Sequence, residues 1–453
     1  LRAGLTRRTS LLLALSGCGW NPLSPRERPS LATPAAWREP TGAGAVAADW
    51  WQAFGSPELA ALIAQARAAN QDLLAAAARI RQADALVRIA GAPLFPTLEG
   101  QTGAQVTDRS RTGTRRTWDA GLATAWEIDL WGRNRAARDA EAFRAQADRF
   151  DRDALALSVD AAVADTWLLL LAARDRAAVA RDNLAAAERV LGLVAARVAA
   201  GAASPLELAQ QRTAVARQRA SVPPLDLAAR QAEHALAVVL SRPPAALPGS
   251  GIDGLRAPDV PAGLPSELLL RRPDLARAEA SLTAASADLL VARKALYPSI
   301  VLTGFGGAQS DVLVSLLNGN WLGSLSAGIT APIFQGGALR GRVQLAEARR
   351  EELAATYRQT VFVALAEVED ALAAGSARTQ ELALQEQAAA SARVAFALAE
   401  AQYREGAIDL LSLLESQRAL FDAEDARLVA LRERLRASVA LFRALGGGWI
   451  APA

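Results

Sequence analysis

The chain is poor in the residues that usually carry chemistry. Its 453 residues include one cysteine, one histidine and no methionine. A single cysteine excludes an internal disulfide and a thiolate metal cluster. A single histidine excludes a His-rich metal site within one chain. Lysine is nearly absent, so arginine supplies almost all positive charge. The formal charge of +3 falls to zero when the first 17 residues, with Arg2, Arg7 and Arg8 and no acid, are set aside. That balance gives no basic surface for nucleic acid. Aromatics make up only 5% of the chain against 51% apolar residues, mostly alanine. A compact core needs larger side chains; this composition suits helices that approach closely through small ones. Proline is missing from Pro96 to Pro205 and again from Pro332 to Pro452, so no proline breaks a helix within those stretches.

What the chain does contain, it contains twice. Asp72-Leu73 through Phe95-Pro96 returns as Asp274-Leu275 through Tyr297-Pro298, an offset of 202. Gly201, Ser204, Leu206 and Leu208 return as Gly406, Asp409, Leu411 and Leu413, offset by 205, and Leu236 and Leu240 as Leu441 and Leu445. Duplicated units that cannot close alone stack or form rings.

Residues 1–17 combine arginines, the apolar run Leu11 to Leu15 and small residues, the pattern of an export signal. The tetrad Leu15-Ser16-Gly17-Cys18 resembles a bacterial lipobox, which would make Cys18 the lipidated mature N-terminus. Gly19 follows it, not the aspartate that retains lipoproteins at the inner membrane. The apolar run is too short to span a bilayer. Residues 18–71 form a Pro- and Ala-rich tether and an amphipathic segment that starts at Trp50-Trp51.

The first repeat, 72–241, opens with a helix of about 72–92, ended by Pro93 and Pro96. Two alternating runs follow, about 97–107 and 115–128. Leu98, Gly100, Thr102, Ala104 and Val106 share one face of the first; Trp118, Ala120, Leu122, Thr124 and Trp126 share one face of the second. Eight residues separate the two tryptophans, roughly 27 Å along a strand. That matches the aromatic girdles of a membrane barrel strand, although a half-buried soluble hairpin has the same alternation. In the second repeat, 272–446, the strands are about 299–309 and 320–331. Trp321, Gly323, Leu325, Ala327 and Ile329 repeat the device, with Val301, Thr303 and Phe305 expected on the matching face of the partner strand. The apolar stretch Val312 to Leu317 between them has no clear role beyond covering the outer mouth.

Long helical patterns run from about Arg135 to Ala200 and about Leu339 to Glu405. Sixty-six residues make roughly 100 Å of helix, and the three- and four-residue apolar steps suit supercoiling. Return helices are expected at about 205–241, interrupted by Pro223-Pro224, and 409–445. A Pro- and Gly-rich linker, 242–271, joins the halves, and 447–453 form a tail. Each chain thus offers only four membrane strands. Open edges are not tolerated in lipid and small barrels need eight strands, so several chains must share one barrel.

With these parts assembled, the sequence resembles an outer-membrane efflux protein of the TolC type, in the lipoprotein branch that serves resistance-nodulation-division pumps. The carriers are Cys18, Trp50 to Phe54, Trp126 to Gly132, Arg271 to Leu275, Ala331 to Phe334, Gly406 to Arg418 and Leu441 to Trp449. The resemblance implies a mainly helical chain whose homotrimer forms a 12-stranded β-barrel in outer-membrane lipid, continued by a long periplasmic helical barrel. It implies a periplasmic adaptor and an inner-membrane pump as partners, no cofactor beyond the lipid on Cys18, and Trp118, Trp126 and Trp321 at the membrane interface. It also implies a periplasmic gate at the second turn, with Leu411 as an apolar constriction, Glu415 as an acidic ring, and Arg418 and Tyr403 tethering neighbouring helices. Leu411, Glu415 and Arg418 lie near one helical face; ordinary helix packing and surface ion pairs would give the same spacing.

Enzyme chemistry finds little support. His234 has Val439 as its repeat partner and reads as a packing position. Gly304-Phe305-Gly306-Gly307 lies in strand pattern and lacks the Lys-Ser/Thr of a nucleotide loop. Glu367, Glu369 and Asp370 read as helix faces turned to water or the duct. The competing functions are a type I protein-secretion exit channel and a coiled-coil scaffold lipoprotein without a barrel.

Overall fold

The structure is a computed structural model that describes residues 31, 33–39, 42, 44, 46–109, 113–247, 251–318 and 320–450. The expected signal at 1–17 and the lipidation site Cys18 lie outside them. The chain divides into two compact units. One contains Ala78–Arg149 and Arg277–Gln359; the other contains Ala32–Ala77, Phe150–Ala276 and Thr360–Ala453.

The main helices are α1 (Pro57–Ala69), α2 (Gln71–Gly91), α3 (Arg133–Ala199), α4 (Pro205–Val239), α5 (Pro273–Lys294), α6 (Ala338–Arg404) and α7 (Leu410–Ala444). The strands are β1 (Thr97–Arg109), β2 (Gly113–Ile128), β3 (Ser299–Ser310) and β4 (Asn320–Thr330). Both α3 and α6 run 67 residues, because alanine-rich sequence without proline or a fixed stop propagates freely. They end alike. Gly201 (φ 73°) and Gly406 (φ 77°) adopt the left-handed conformation. Paired amide bonds, Ala202 to Arg197 O and Gly201 to Val198 O, then Ala407 to Gln402 O and Gly406 to Tyr403 O, close each helix end. Restart is equally explicit. Ser204 forms a reciprocal cap with Glu207 ahead of Pro205, and the Asp409 carboxylate accepts from the Ser412 amide at 2.9 Å.

Two expectations about helices need correction. Pro223 and Pro224 do not interrupt α4, which runs through both. Being adjacent, they remove bonds from only one turn, and proline's fixed φ is itself near-helical. His234 is exposed whereas its repeat partner Val439 is fully buried, so this position does not pack in the first copy, although Ala232, Leu236 and Leu240 are buried as Ala437, Leu441 and Leu445 are.

In the strand-bearing unit the four strands form one antiparallel sheet in the order β1-β2-β3-β4. Trp131 clasps the base of β3: its ring stacks on Tyr297 at 5.2 Å and its Nε1 donates to Pro298 O at 2.6 Å. The stretch Val312 to Leu317 is accounted for locally as a short turn, Leu313–Asn318, packed against β2 and β3. The Val312 amide bonds Ser310 Oγ at 3.2 Å.

The helical unit has its own core. Trp167, Leu168, Leu170 and Leu171 of α3 meet Leu59 and Ile63 of α1, Leu236 of α4 and Leu435 of α7. Trp50 stacks on Phe442 at 5.0 Å. Arg67 lies over the Trp51 ring at 4.5 Å and grips Asp160 with two bonds of 2.9 and 2.6 Å. Burial still pushes the Asp160 carboxyl up, with Arg67 only partly offsetting it. The acids of α6 are not simply turned to water. Glu367 pairs with Arg272 at 2.7 Å and Glu369 accepts from the Arg38 amide at 3.2 Å, because the start of the second repeat and the N-terminal segment both lie against this helix. Arg272 also holds Asp274 through two bonds and donates to Ala444 O at 2.9 Å.

Candidate functional site

Register decides what each face of the sheet presents. Directly paired residues share a face, so Trp118 pairs with Ser310, Leu122 with Gly306 and Trp126 with Leu302. Ala308 then pairs with Trp321, Gly304 with Leu325 and Ile300 with Ile329. One face therefore carries all three tryptophans together with Leu98, Leu122, Ile300, Leu302, Leu325 and Ile329. Much of it has no cover within the chain: Leu325 is 83% exposed, Trp321 79% and Ile329 72%. The opposite face carries Glu99, Gln101, Asp119, Thr303, Gln309, Ser324, Ser326 and Thr330, with Val301, Phe305 and Leu322 among them. An apolar face opposite a polar one, on strands of 11 to 16 residues, is the wall of a membrane pore.

Register also corrects the phase of β3. Val301, Thr303 and Phe305 were expected on the tryptophan face; they lie on the polar one, and Ile300 and Leu302 take their place. A one-residue shift moves every side chain to the other face, and the bulk of Phe305 hid the change. Trp118 and Trp321 stand towards the hairpin ends of the sheet and Trp126 towards the other end. There Trp126 Nε1 donates to Leu94 O at 3.1 Å. Among the described residues, β1 and β4 each pair along one edge only.

The helical unit holds the expected gate residues. Leu411 is 67% exposed, Glu415 is exposed, and Arg418 has an ion pair with Asp422 at a loose 3.8 Å. On the opposite side of α7, Leu410, Leu413, Gln417 and Leu420 are buried. The four- and three-residue spacing thus puts Leu411, Glu415 and Arg418 on one uncovered stripe, without a neighbouring helix of the same chain as tether for Arg418 among the described residues.

Tyr403 is placed apart from that stripe, 1% exposed among Val190, Val194, Leu410 and Leu413. Its hydroxyl has no hydrogen-bond partner. The tether is Arg197, at the end of α3. Its guanidinium lies 4.6 Å from the centre of the Tyr403 ring, and its Nη1 donates to the Tyr403 carbonyl. Its Nη2 reaches Ala202 O at 3.4 Å. Sequence reasoning missed Arg197. The signal available was an arginine one residue before Val198, the repeat partner of Tyr403.

Comparison with known proteins agrees with this geometry. The outer membrane efflux protein family matches residues 62–242 and 264–447. The pyoverdine export outer membrane protein OpmQ of Pseudomonas putida is 42% identical over 92% of this chain and 93% of its own length. The cation efflux system protein CusC of Escherichia coli is 30% identical over 96% and 97%. Among solved structures, the outer-membrane channel OprN superimposes with a TM-score of 0.86 at 31% identity, covering 93% of this chain and 99% of that one. The open state of the Neisseria gonorrhoeae MtrE channel also gives 0.86, at 29% identity, over 93% and 97%. The chain belongs to the outer membrane efflux protein family.

Proposed function

We propose that this exit duct serves an inner-membrane resistance-nodulation-division pump, joined to it by a periplasmic adaptor, and that its cargo is a pyoverdine-like siderophore. Three chains close a 12-stranded barrel in the outer membrane, as the family's channels do, with the apolar sheet face in lipid and the polar face lining the pore. The cargo assignment rests on one observation, the 42% identity to a pyoverdine exporter across nearly the full length of both chains. Transport then draws its energy from the pump, and the duct is passive. Leu411 and Glu415 form the periplasmic constriction, Arg418 reaches a neighbouring chain, Arg197 and Tyr403 hold the second turn against the first, and Cys18 carries the anchoring lipid. Trp118, Trp126 and Trp321 sit at the membrane interfaces.

The test is deletion of the gene for this chain in its own host, followed by measurement of secreted siderophore. Accumulation inside the cell, reversed by the restored chain, is the expected result. Unchanged siderophore secretion with lost tolerance to metal cations or solvents would move the cargo to those classes.

A further inference from the structure

The pore-facing side of the sheet has one feature at odds with its polar character. Phe305 pairs with Ala123 and Ser324, with Gln101, Asp119 and Gln309 in the next two rows of the same face, and a large aromatic residue is not what a water-filled pore favours. Its surroundings are shaped for it. Gly121 and Gly307 pair directly across β2 and β3. A Cβ built on Gly121 would come within 2.7 Å of Phe305 Cζ, and one on Gly307 within 2.9 Å. The ring therefore leans along the strands, its tip resting over the glycine pair, and does not stand out into the pore. Leu322, paired with Gly307, borders the same spot on the same face and is 44% exposed.

We infer that Phe305 and Leu322, bedded on Gly121 and Gly307, form an apolar contact patch in the pore wall that takes the flat ring system of an amphiphilic cargo. The inference rests on the duct reading, since it needs this face to line the pore. Threefold assembly repeats the patch three times around the channel. A ring held flat leaves the passage wide while presenting an aromatic surface, and Asp119 and Glu99 on the same face favour a cationic group beside it. Weak, repeated stacking suits a duct: it offers the cargo a place to shed water without holding it.

A ring over glycines also shields the strands, so the test must separate contact from sheet stability. Substitution of either glycine is unsuitable, because a Cβ there would also meet backbone atoms at 2.4 to 2.8 Å. The variants are Phe305→Leu, which still covers the glycines, and Phe305→Tyr, which keeps the ring. Purified full-length trimers in lipid nanodiscs are titrated with 9-aminoacridine, a flat aromatic cation, followed by its fluorescence, with tetraethylammonium as a non-aromatic competitor of equal charge. The expected result is weaker binding by about two- to tenfold in Phe305→Leu, recovery in Phe305→Tyr, and little displacement by tetraethylammonium. Equal binding by Phe305→Leu and the unaltered chain overturns the inference. Failure of the unaltered chain to form heat-stable trimers would instead strike the duct reading.

Discussion

Replacing Arg197 by alanine should loosen the periplasmic end of each chain, and its size follows from what the side chain holds. The guanidinium makes a charge-assisted bond to the Tyr403 carbonyl and covers the Tyr403 ring at 4.6 Å. A charge-assisted bond contributes about 1.5 kcal/mol, and a partly exposed cation–π contact about 0.5–1 kcal/mol. Their loss, about 2 kcal/mol, corresponds to roughly a thirtyfold shift between held and released turns. Single-channel recording of purified trimers in planar bilayers reads this as open probability, and vancomycin leakage into cells reads it in vivo. Lysine at 197 should give an intermediate effect, because a point charge cannot bond the carbonyl and cover the ring together. The hydroxyl of Tyr403 has no partner, so Tyr403→Phe should leave the channel closed while Tyr403→Ala opens it as Arg197→Ala does. A silent Arg197→Ala, or a Tyr403→Phe as leaky as Tyr403→Ala, would refute the reasoning.

Two further outcomes follow from the helical unit. Arg272→Ala removes the common partner of Asp274, Glu367 and the Ala444 carbonyl. Arg272 is buried but both carboxylates are partly exposed, so solvent screens part of the loss and the cost is about 1–2 kcal/mol, to be read as a lower trimer dissociation temperature on semi-native gels. Asp165 has a buried Oδ1 without a partner, and burial pushes its carboxyl above the ordinary 3.8, only partly offset by Arg436 and Arg443. A raised carboxyl makes folding more favourable at low pH, a contribution lost as pH climbs from 3.8 through the folded value. Asp165→Asn should therefore raise the unfolding midpoint at pH 7 more than at pH 4, measured by helical circular dichroism.

The long elements were legible because a single physical rule sets each of them. Absence of proline set the span of α3 and α6, and Gly201, Ser204, Gly406 and Asp409 marked their turns. Tryptophan spacing identified β2, and the alternation that starts at Trp321 identified β4. Elsewhere, the deciding partner was distant in sequence. The phase of β3 depends on pairing with β2 across more than 170 residues, and a lone phenylalanine outweighed the weaker Ile300 and Leu302. Arg197 and Tyr403 meet only through folding, so the tether showed as a residue type without its mate. Pro223-Pro224 misled because helix propensity is local, whereas tertiary packing carries most of a helix's stability.

The central claim, that β4 of one chain closes onto β1 of the next, has a direct test in register. Within a chain Thr97 pairs with Ala125, and Ser299 with Thr330, so β1 maps onto β3 by 202 and β2 onto β4 by 205. The observed pair Gly121–Gly307 then predicts Ser326 opposite Gln105 of the neighbouring chain. Within one chain these lie on opposite edges of the sheet, three strand spacings across and eight residues along from each other, about 30 Å apart and too far for a disulfide. The measurement is oxidative cross-linking of Ser326→Cys with Gln105→Cys in the intact outer membrane, with Ser326→Cys and Thr107→Cys as the register-shifted control. The account predicts covalent dimers and trimers for the first pair and few for the second. Equal cross-linking of both, or none in the first, would contradict it.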